Sequence, residues 1–400
     1  MATRRSFLFG TASAASLLLA RRSAFAGDWP QWRGPGRNGV SDETGWLTQW
    51  PMGGPRRVWA VRIGVGFSGV AVVGNRAYTM GNSADQDVVY CLDAESGRTV
   101  WSLRYPCPAG EYEGPRATPT VLGGRVYTLS REGHALCLDA ATGQLIWRQD
   151  LRRVAQSSPP RWGFAGSPLV DGNLVLYNVG SGGAALDRQS GRLVWRSAPG
   201  TAGYASPVLY QIPGQRGVAL FTAEGLVAAD PASGRRLWFH PWRTSYDVNA
   251  ADPIFIDDTV FLSSDYGRGC ALLRISGNRP VVLWENREMR NHFNSCVYLN
   301  GYLYGNDENT LKCLDARTGA ARWQYRSIDR GGLIAAANHL IVLTGRGDLL
   351  LARAQPDRFT EVARARVLTG ECWTAPTLAH GRLYCRNHDG DLVCLDLRAR

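Results

Sequence analysis

One motif limits what this chain can fold into. Cys91-Leu92-Asp93-Ala94-Glu95-Ser96-Gly97-Arg98-Thr99-Val100-Trp101 is rewritten four more times, around Asp139, Asp187, Asp230 and Asp315. In every copy Gly lies four residues after Asp and Trp eight after, as in Asp139, Gly143 and Trp147. Successive Asp residues stand 46, 48 and 43 apart and then 85, which is two periods with a decayed copy between them. Self-similarity at this period is the mark of a repeat architecture. Each copy has its own mechanism. Val88-Val89-Tyr90-Cys91-Leu92 reads as a strand. Asp-x-x-Ser/Thr-Gly is a turn, in which the carboxylate bonds backbone ahead of it and Gly takes positive φ without a Cβ clash. A second short strand follows and ends in Trp. A lone hairpin cannot bury its own face, so neighbouring repeats must stack, with the Trp as a wedge between them.

Eight innermost strands of one type are expected. They begin near Ser68, Ala117, Gly166, Ala205, Ala251, Asn294, Gly332 and Thr374. The fifth copy keeps Ser276, Gly277 and Trp284 but loses its Asp, and the seventh, Leu349 to Val362, lacks both Gly and Trp. The eighth reaches Leu395-Asp396 near the end of the sequence, with no outer strand after it. Arg57-Val58-Trp59-Ala60-Val61 is an outer strand without a partner. The expected fold is therefore all-β: an eight-bladed β-propeller of four-stranded antiparallel blades. Residues 56–62 close the ring by joining the last blade, which removes an exposed sheet edge. The propeller spans 56–400.

Residues 1–26 read as a twin-arginine signal peptide: Thr3-Arg4-Arg5-Ser6-Phe7-Leu8, an apolar stretch Phe7–Ala20 too short to span a bilayer, and Ala24-Phe25-Ala26 before Gly27. No Cys follows to carry a lipid. A soluble protein of the periplasm or exterior, exported folded, is expected. Residues 27–55 form an irregular segment rich in Trp, Gly and Pro, lying across the propeller or lidding its centre. The formal charge of +11 drops by four with the leader, and the one lysine is Lys312. No dense basic run stands out, so no nucleic-acid partner is expected. Nine cysteines, all from Cys91 onward, include no CxxC. Cys91, Cys137, Cys313 and Cys394 share one repeat position and read as buried thiols in separate blades.

Leu138-Asp139-Ala140-Ala141-Thr142-Gly143-Gln144-Leu145-Ile146-Trp147 resembles the pyrroloquinoline-quinone (PQQ) repeat. The opening Trp29-Pro30-Gln31-Trp32-Arg33-Gly34-Pro35, with Asn291-His292 and Trp373-Thr374-Ala375-Pro376, is similar to exported PQQ-repeat propellers. The wider family includes quinoprotein alcohol dehydrogenases and the non-catalytic outer-membrane assembly lipoprotein. The repeat thus specifies fold more than function.

Loops entering the innermost strands ring one mouth of a propeller's channel. Here they carry Glu111, Tyr112, Glu113 and Arg116, then Arg161 and Trp162, then Tyr204, Tyr246, Asn249 and Asp252. Asn291, His292, Asn294, Arg330, Glu371 and Trp373 follow. Carboxylates, amides and arginines beside aromatic walls suit a small acidic ligand, with or without Ca²⁺. If the resemblance extended to quinoprotein chemistry, it would imply PQQ with calcium: Asp252 as base, Glu113 and Asn294 as metal ligands, and Trp162 or Trp373 stacking on the cofactor. Arg116, Arg161, Asn249 and His292 would complete the cofactor-binding set. Against this, the family's adjacent-cysteine disulfide and any Cys-x-x-Cys-His haem motif are absent. The expected function is a monomeric, non-catalytic binding or scaffold propeller. Its ligand is a small molecule or an envelope protein, and the alternative is a PQQ- and calcium-dependent oxidoreductase. Gly64–Gly69 matches GxGxxG but leads into a strand, and there is no GxSxG elbow.

Overall fold

The computed structural model describes residues 27–51, 53–326 and 328–398; the expected leader, residues 1–26, lies outside them. Among the described residues the strands form eight sheets, seven of four strands and one of five. Blade 1 is typical, an antiparallel meander of Ala71–Val73, Arg76–Ser83, Gln86–Asp93 and Thr99–Pro106. Blade 8 consists of Thr377–Ala379, Arg382–Arg386 and Asp391–Asp396 with Arg56–Arg62 as its outer strand, so the ring closes as the unpartnered Trp59 strand requires. The outer strands do not stop at Trp. In blade 1 the strand runs on from Trp101 to Pro106.

The repeat motif is an inter-blade bolt. Asp93 Oδ1 accepts from the backbone N–H of Glu95 and Ser96, at 3.1 and 2.9 Å, and from the Ser96 hydroxyl. That turn exposes a flat glycine on which the preceding blade's Trp lies. Trp59 packs on Gly97, Trp101 on Gly143, Trp147 on Gly191 and Trp195 on Gly234. Each indole N–H donates to the carbonyl just after the turn Asp: Trp59 to Ala94 (3.1 Å), Trp101 to Ala140 (3.0 Å), Trp195 to Pro231 (2.8 Å). Where the fifth copy lacks its Asp the bolt is lost. Trp238 turns back onto Tyr210 and Gln215 of its own blade, at 3.0 Å each. A Cβ at Gly143 would lie 2.6 Å from the Trp101 ring at a φ of +75°. Gly143→Ala should therefore lower stability by about 2 kcal/mol, read as a shifted denaturation midpoint.

Residues 27–46 dip into the bore of the ring and return to the end they entered, where both Asp28 and Glu43 meet His380. The segment enters at the end where Asp28 caps Gly74, and Trp29 bridges Val72 of blade 1. It turns inside the bore at Arg33 to Arg37, where Arg33 reaches the Cys296 carbonyl (2.6 Å) and Arg37 that of Pro168 (3.1 Å). It then runs out as Val40–Ser41, a short strand that no alternation in the sequence announces. This strand pairs in parallel with the innermost strand of blade 7, Gly332–Ala336, and makes its sheet five-stranded. Glu43 finally accepts from the His380 and Gly381 amides of blade 8. Positive φ at Arg33, Gly34, Arg37 and Gly39 allows so tight a reversal, and glycine supplies two of those positions without strain. All nine cysteines are free and buried, and Cys91, Cys137, Cys313 and Cys394 each stand opposite a bolt Trp on the next strand.

Candidate functional site

At the innermost strands of blades 1 to 5, a backbone N–H donates to a side-chain oxygen one blade on. Gly69 donates to Thr118 (3.0 Å), Thr118 to Ser167 (2.9 Å), Ser167 to Ser206 (3.0 Å), Ser206 to Asp252 (2.8 Å) and Asp252 to Ser295 (2.8 Å). These residues form a belt around the bore. Asp252 occupies a serine's place in it. Its Oδ1 accepts the belt bond, and its Oδ2 accepts the Trp32 indole N–H (2.7 Å) with Arg33 at 3.8 Å. Burial raises the Asp252 carboxyl above its ordinary range, and Arg33 and Arg37 oppose that shift. Both oxygens are therefore committed to the chain's own donors.

Above the belt opens a cavity of about 520 Å³, within the size range of ligand pockets. Trp32 and Asp252 are among its lining. Its wall is a near-continuous aromatic chain. Phe67 stacks on Trp373 (5.4 Å between centroids), Trp373 on Phe293 (4.5 Å) and Phe293 on His292 (3.7 Å). Edge-on contacts lead on from Tyr266 through Tyr246, which is exposed outside the lining, to Trp162, which tilts against Tyr204. Such contacts fix flat apolar faces toward the opening. The Trp162 indole N–H is buried and has no partner among the described residues.

Charge is placed unevenly on that wall. Arg116 is braced by the carbonyls of Gly114 and Tyr112, at 2.9 and 2.8 Å; burial pushes its pKa down to about 10, which leaves it cationic at neutral pH. Arg330 also lines the cavity. It makes no ion pair among the described residues, since the neighbouring Asp329 pairs with Arg346 (3.0 Å). Of the lining acids, Glu308 pairs with Arg290 (3.1 Å), and burial raises the pKa of Asp265. His292 approaches Asp265 only to 3.7 Å, too far for a hydrogen bond, while its Nε2 lies 3.1 Å from the Tyr266 hydroxyl. Burial and then Arg330 push the His292 pKa down to about 3, so the ring is neutral.

Of the residues singled out from sequence, Arg116, Trp162, Asp252, His292, Asn294 and Trp373 line this one cavity. Glu113, Arg161 and Asn249 lie outside the lining. Glu113 is exposed, and its backbone carbonyl, not its carboxylate, meets His388 (3.2 Å). Arg161 is exposed and lies over the rings of Trp162 (5.0 Å) and Tyr246 (5.7 Å). Asn249 is fully buried, bonding Thr222, Trp242 and Ser264 as a brace. The Asn294 amide donates to the Gly331 and Trp373 carbonyls. Calcium needs several converging oxygen ligands. Among the described residues no group of three or more His, Cys, Asp or Glu is placed to hold a metal, and Glu113 stands outside the cavity that Asn294 and Asp252 line. Sequence reading missed the belt and Trp32. The belt's signal was present as Ala117-Thr118-Pro119, Gly166-Ser167-Pro168, Ala205-Ser206-Pro207 and Ala251-Asp252-Pro253.

A family model described as outer membrane protein assembly factor BamB matches residues 53–128 and 85–325. The chain belongs to that family. BamB of Yersinia pestis is 24% identical over 317 residues, covering 73% of this chain and 77% of that protein. The quinohemoprotein alcohol dehydrogenase ADH-IIG of Pseudomonas putida is 32% identical over 140 residues, which span 31% of this chain and only 18% of the dehydrogenase. Among solved structures, BamB from Moraxella catarrhalis superposes with a TM-score of 0.64 at 19% identity, covering 86% of this chain and 99% of that one. The quinohemoprotein alcohol dehydrogenase of Comamonas testosteroni gives 0.68 at 15% identity, covering 97% and 83%. These structural likenesses establish a common fold.

Proposed function

We propose that this is an exported, non-catalytic binding propeller that holds a small acidic ligand at its central mouth and acts as a monomer outside the cytoplasm. The observation that carries this reading is the state of Asp252, the carboxylate that the quinoprotein resemblance would make the base. Its two oxygens already accept from Ser206 and Trp32, and among the described residues no group of three or more His, Cys, Asp or Glu stands together. Arg116, Arg330 and the aromatic wall remain as groups that bind without transforming what they bind. Similarity to an assembly factor supports a holding role. Export is supported by the leader motif alone. No helix among the described residues is long and apolar enough to cross a membrane.

The second reading, a PQQ- and calcium-dependent oxidoreductase, is favoured by the local similarity to the Pseudomonas putida dehydrogenase. Calorimetric titration of the mature protein with PQQ, with and without Ca²⁺, separates the two. The expected result is no strengthening of binding by Ca²⁺. Micromolar calcium-dependent binding that disappears in Glu113→Ala or Asp252→Ala would establish the oxidoreductase instead.

A further inference from the structure

We propose that residues 29–41 are a latched plug, held by Asp252, that turns the propeller's channel into a one-sided cup selective for aromatic anions. This rests on the binding reading above and says what builds the site and what it accepts.

The latch follows from the belt. Thr118, Ser167, Ser206 and Ser295 show that a hydroxyl suffices to accept a neighbouring blade's N–H. A carboxylate at position 252 is more than the belt needs. Its second oxygen is spent on the plug, accepting from Trp32 at 2.7 Å with the Arg33 guanidinium at 3.8 Å. Arg33 and Arg37 are 6% and 8% exposed, so each is a charge taken out of water, and Asp252 is the carboxylate that acts on both. Removing the carboxylate from a buried ion pair leaves its cation uncompensated and is strongly destabilising. Losing the Asp252 carboxylate should therefore expel the plug while leaving the belt intact, provided a hydroxyl replaces it.

The selectivity follows from the same groups. The plug supplies Trp32 to the cavity lining and brings two arginines to the Asp252 site against its single carboxylate. Arg116 and Arg330 add positive charge on the wall, whereas Glu308 is offset by Arg290, and Asp265, whose carboxyl burial shifts upward, feels both Arg330 and Arg290. Trp162 contributes its ring to the same lining. Flat apolar faces with surplus donors and positive charge describe a site for a planar aromatic bearing a carboxylate or sulfonate. The chain's own side chains supply the positive charge, with no metal ion in that role.

Two fluorescent probes isolate the charge: 1-anilinonaphthalene-8-sulfonate and its neutral counterpart N-phenyl-1-naphthylamine, which lacks the sulfonate. The wild-type protein should bind one equivalent of the sulfonate about tenfold more tightly than the neutral probe, in line with a charge-assisted contact. Trypsin should leave the Arg33-Gly34 and Arg37-Asn38 bonds intact. In Asp252→Ser the ring should stay folded, both bonds should be cut, and the preference for the sulfonate should fall toward unity. Equal affinity for the two probes in the wild type would overturn the selectivity. Protection of both bonds in folded Asp252→Ser would overturn the latch, and an unchanged sulfonate preference after cutting would remove the plug from the site. Should Asp252→Ser fail to fold, Trp32→Ala tests the floor alone. It should weaken both probes by about tenfold, and unaltered affinities would refute the placement. Calcium-dependent PQQ binding would defeat the binding reading separately, because none of these outcomes involves calcium.

Discussion

A chain lacking residues 56–62 should unfold or oligomerise, and Trp59→Ala should cost about 3–5 kcal/mol of stability. The strand Arg56–Arg62 is the outer member of blade 8, antiparallel to Asp391–Asp396. Removing it would bare an edge whose residues Leu392, Val393, Cys394 and Leu395 are at most 2% exposed. A long apolar edge of that kind pairs with other chains. The strand also holds the ring shut sideways, since Trp59 is the bolt from blade 8 onto the Gly97 turn of blade 1. Trp59 is 8% exposed, so the point substitution removes a large buried side chain and leaves the Ala94 carbonyl without its donor. Size-exclusion chromatography of the deletion and urea unfolding of Trp59→Ala check the two statements. A deletion that elutes as a monomer and melts like the parent would show that closure comes from elsewhere.

How much of this was readable beforehand depended on how locally each feature is encoded. The blades were legible because Asp, Gly and Trp at fixed offsets carry their own turn and wedge. Closure was legible as an arithmetic mismatch: one Trp strand too many at the start and one too few at the end. Trp238 and the decayed fifth turn show the same logic in reverse. With the Asp lost, the bolt has nothing to dock on and turns inward to Tyr210 and Gln215.

The site was harder because side-chain direction in a loop is not fixed by distance from a strand. Glu113 and Arg116 lie three residues apart on one loop, yet Arg116 lines the cavity and Glu113 faces solvent. The intervening Gly114 takes a φ of +89°, a reversal that position in the sequence does not announce. Asp252 was picked out for its charge. Its neighbours Ala251 and Pro253 carried the better clue, that it stands in a serine's place in a repeated Ala/Gly-Ser/Thr-Pro step. The plug was the least legible element. Its hydrogen bonds go to groups far along the chain, such as the Cys296 carbonyl and the Glu43-to-Gly381 contact, and leave no local periodicity.

The second large effect is expected at the same seam as the first. Arg386 in blade 8 is 1% exposed, and among the described residues it has no carboxylate partner. Its guanidinium donates to four backbone carbonyls: Ser68 (3.0 Å), Met80 (2.8 Å), Gly64 (3.2 Å) and Asn387 (3.2 Å). Three of those belong to blade 1 or the chain leading into it, so one side chain ties the last blade to the first. Burial pushes the Arg386 pKa down to about 9, which still leaves it charged at neutral pH. Removing it relieves a buried charge but strands buried acceptors, each worth about 1–3 kcal/mol, and the second effect outweighs the first. Arg386→Met, similar in length and apolar, should therefore destabilise the protein by about 3 kcal/mol. Arg386→Lys should fall between, because an ammonium cannot spread its donors in the planar fork that reaches Ser68, Met80 and Gly64 together. Denaturation midpoints of the two variants test this. If Arg386→Met matched or exceeded the parent's stability, the cost of burying the charge would outweigh the bonds it makes, and the seam would be held by Trp59 and the strand pairing alone.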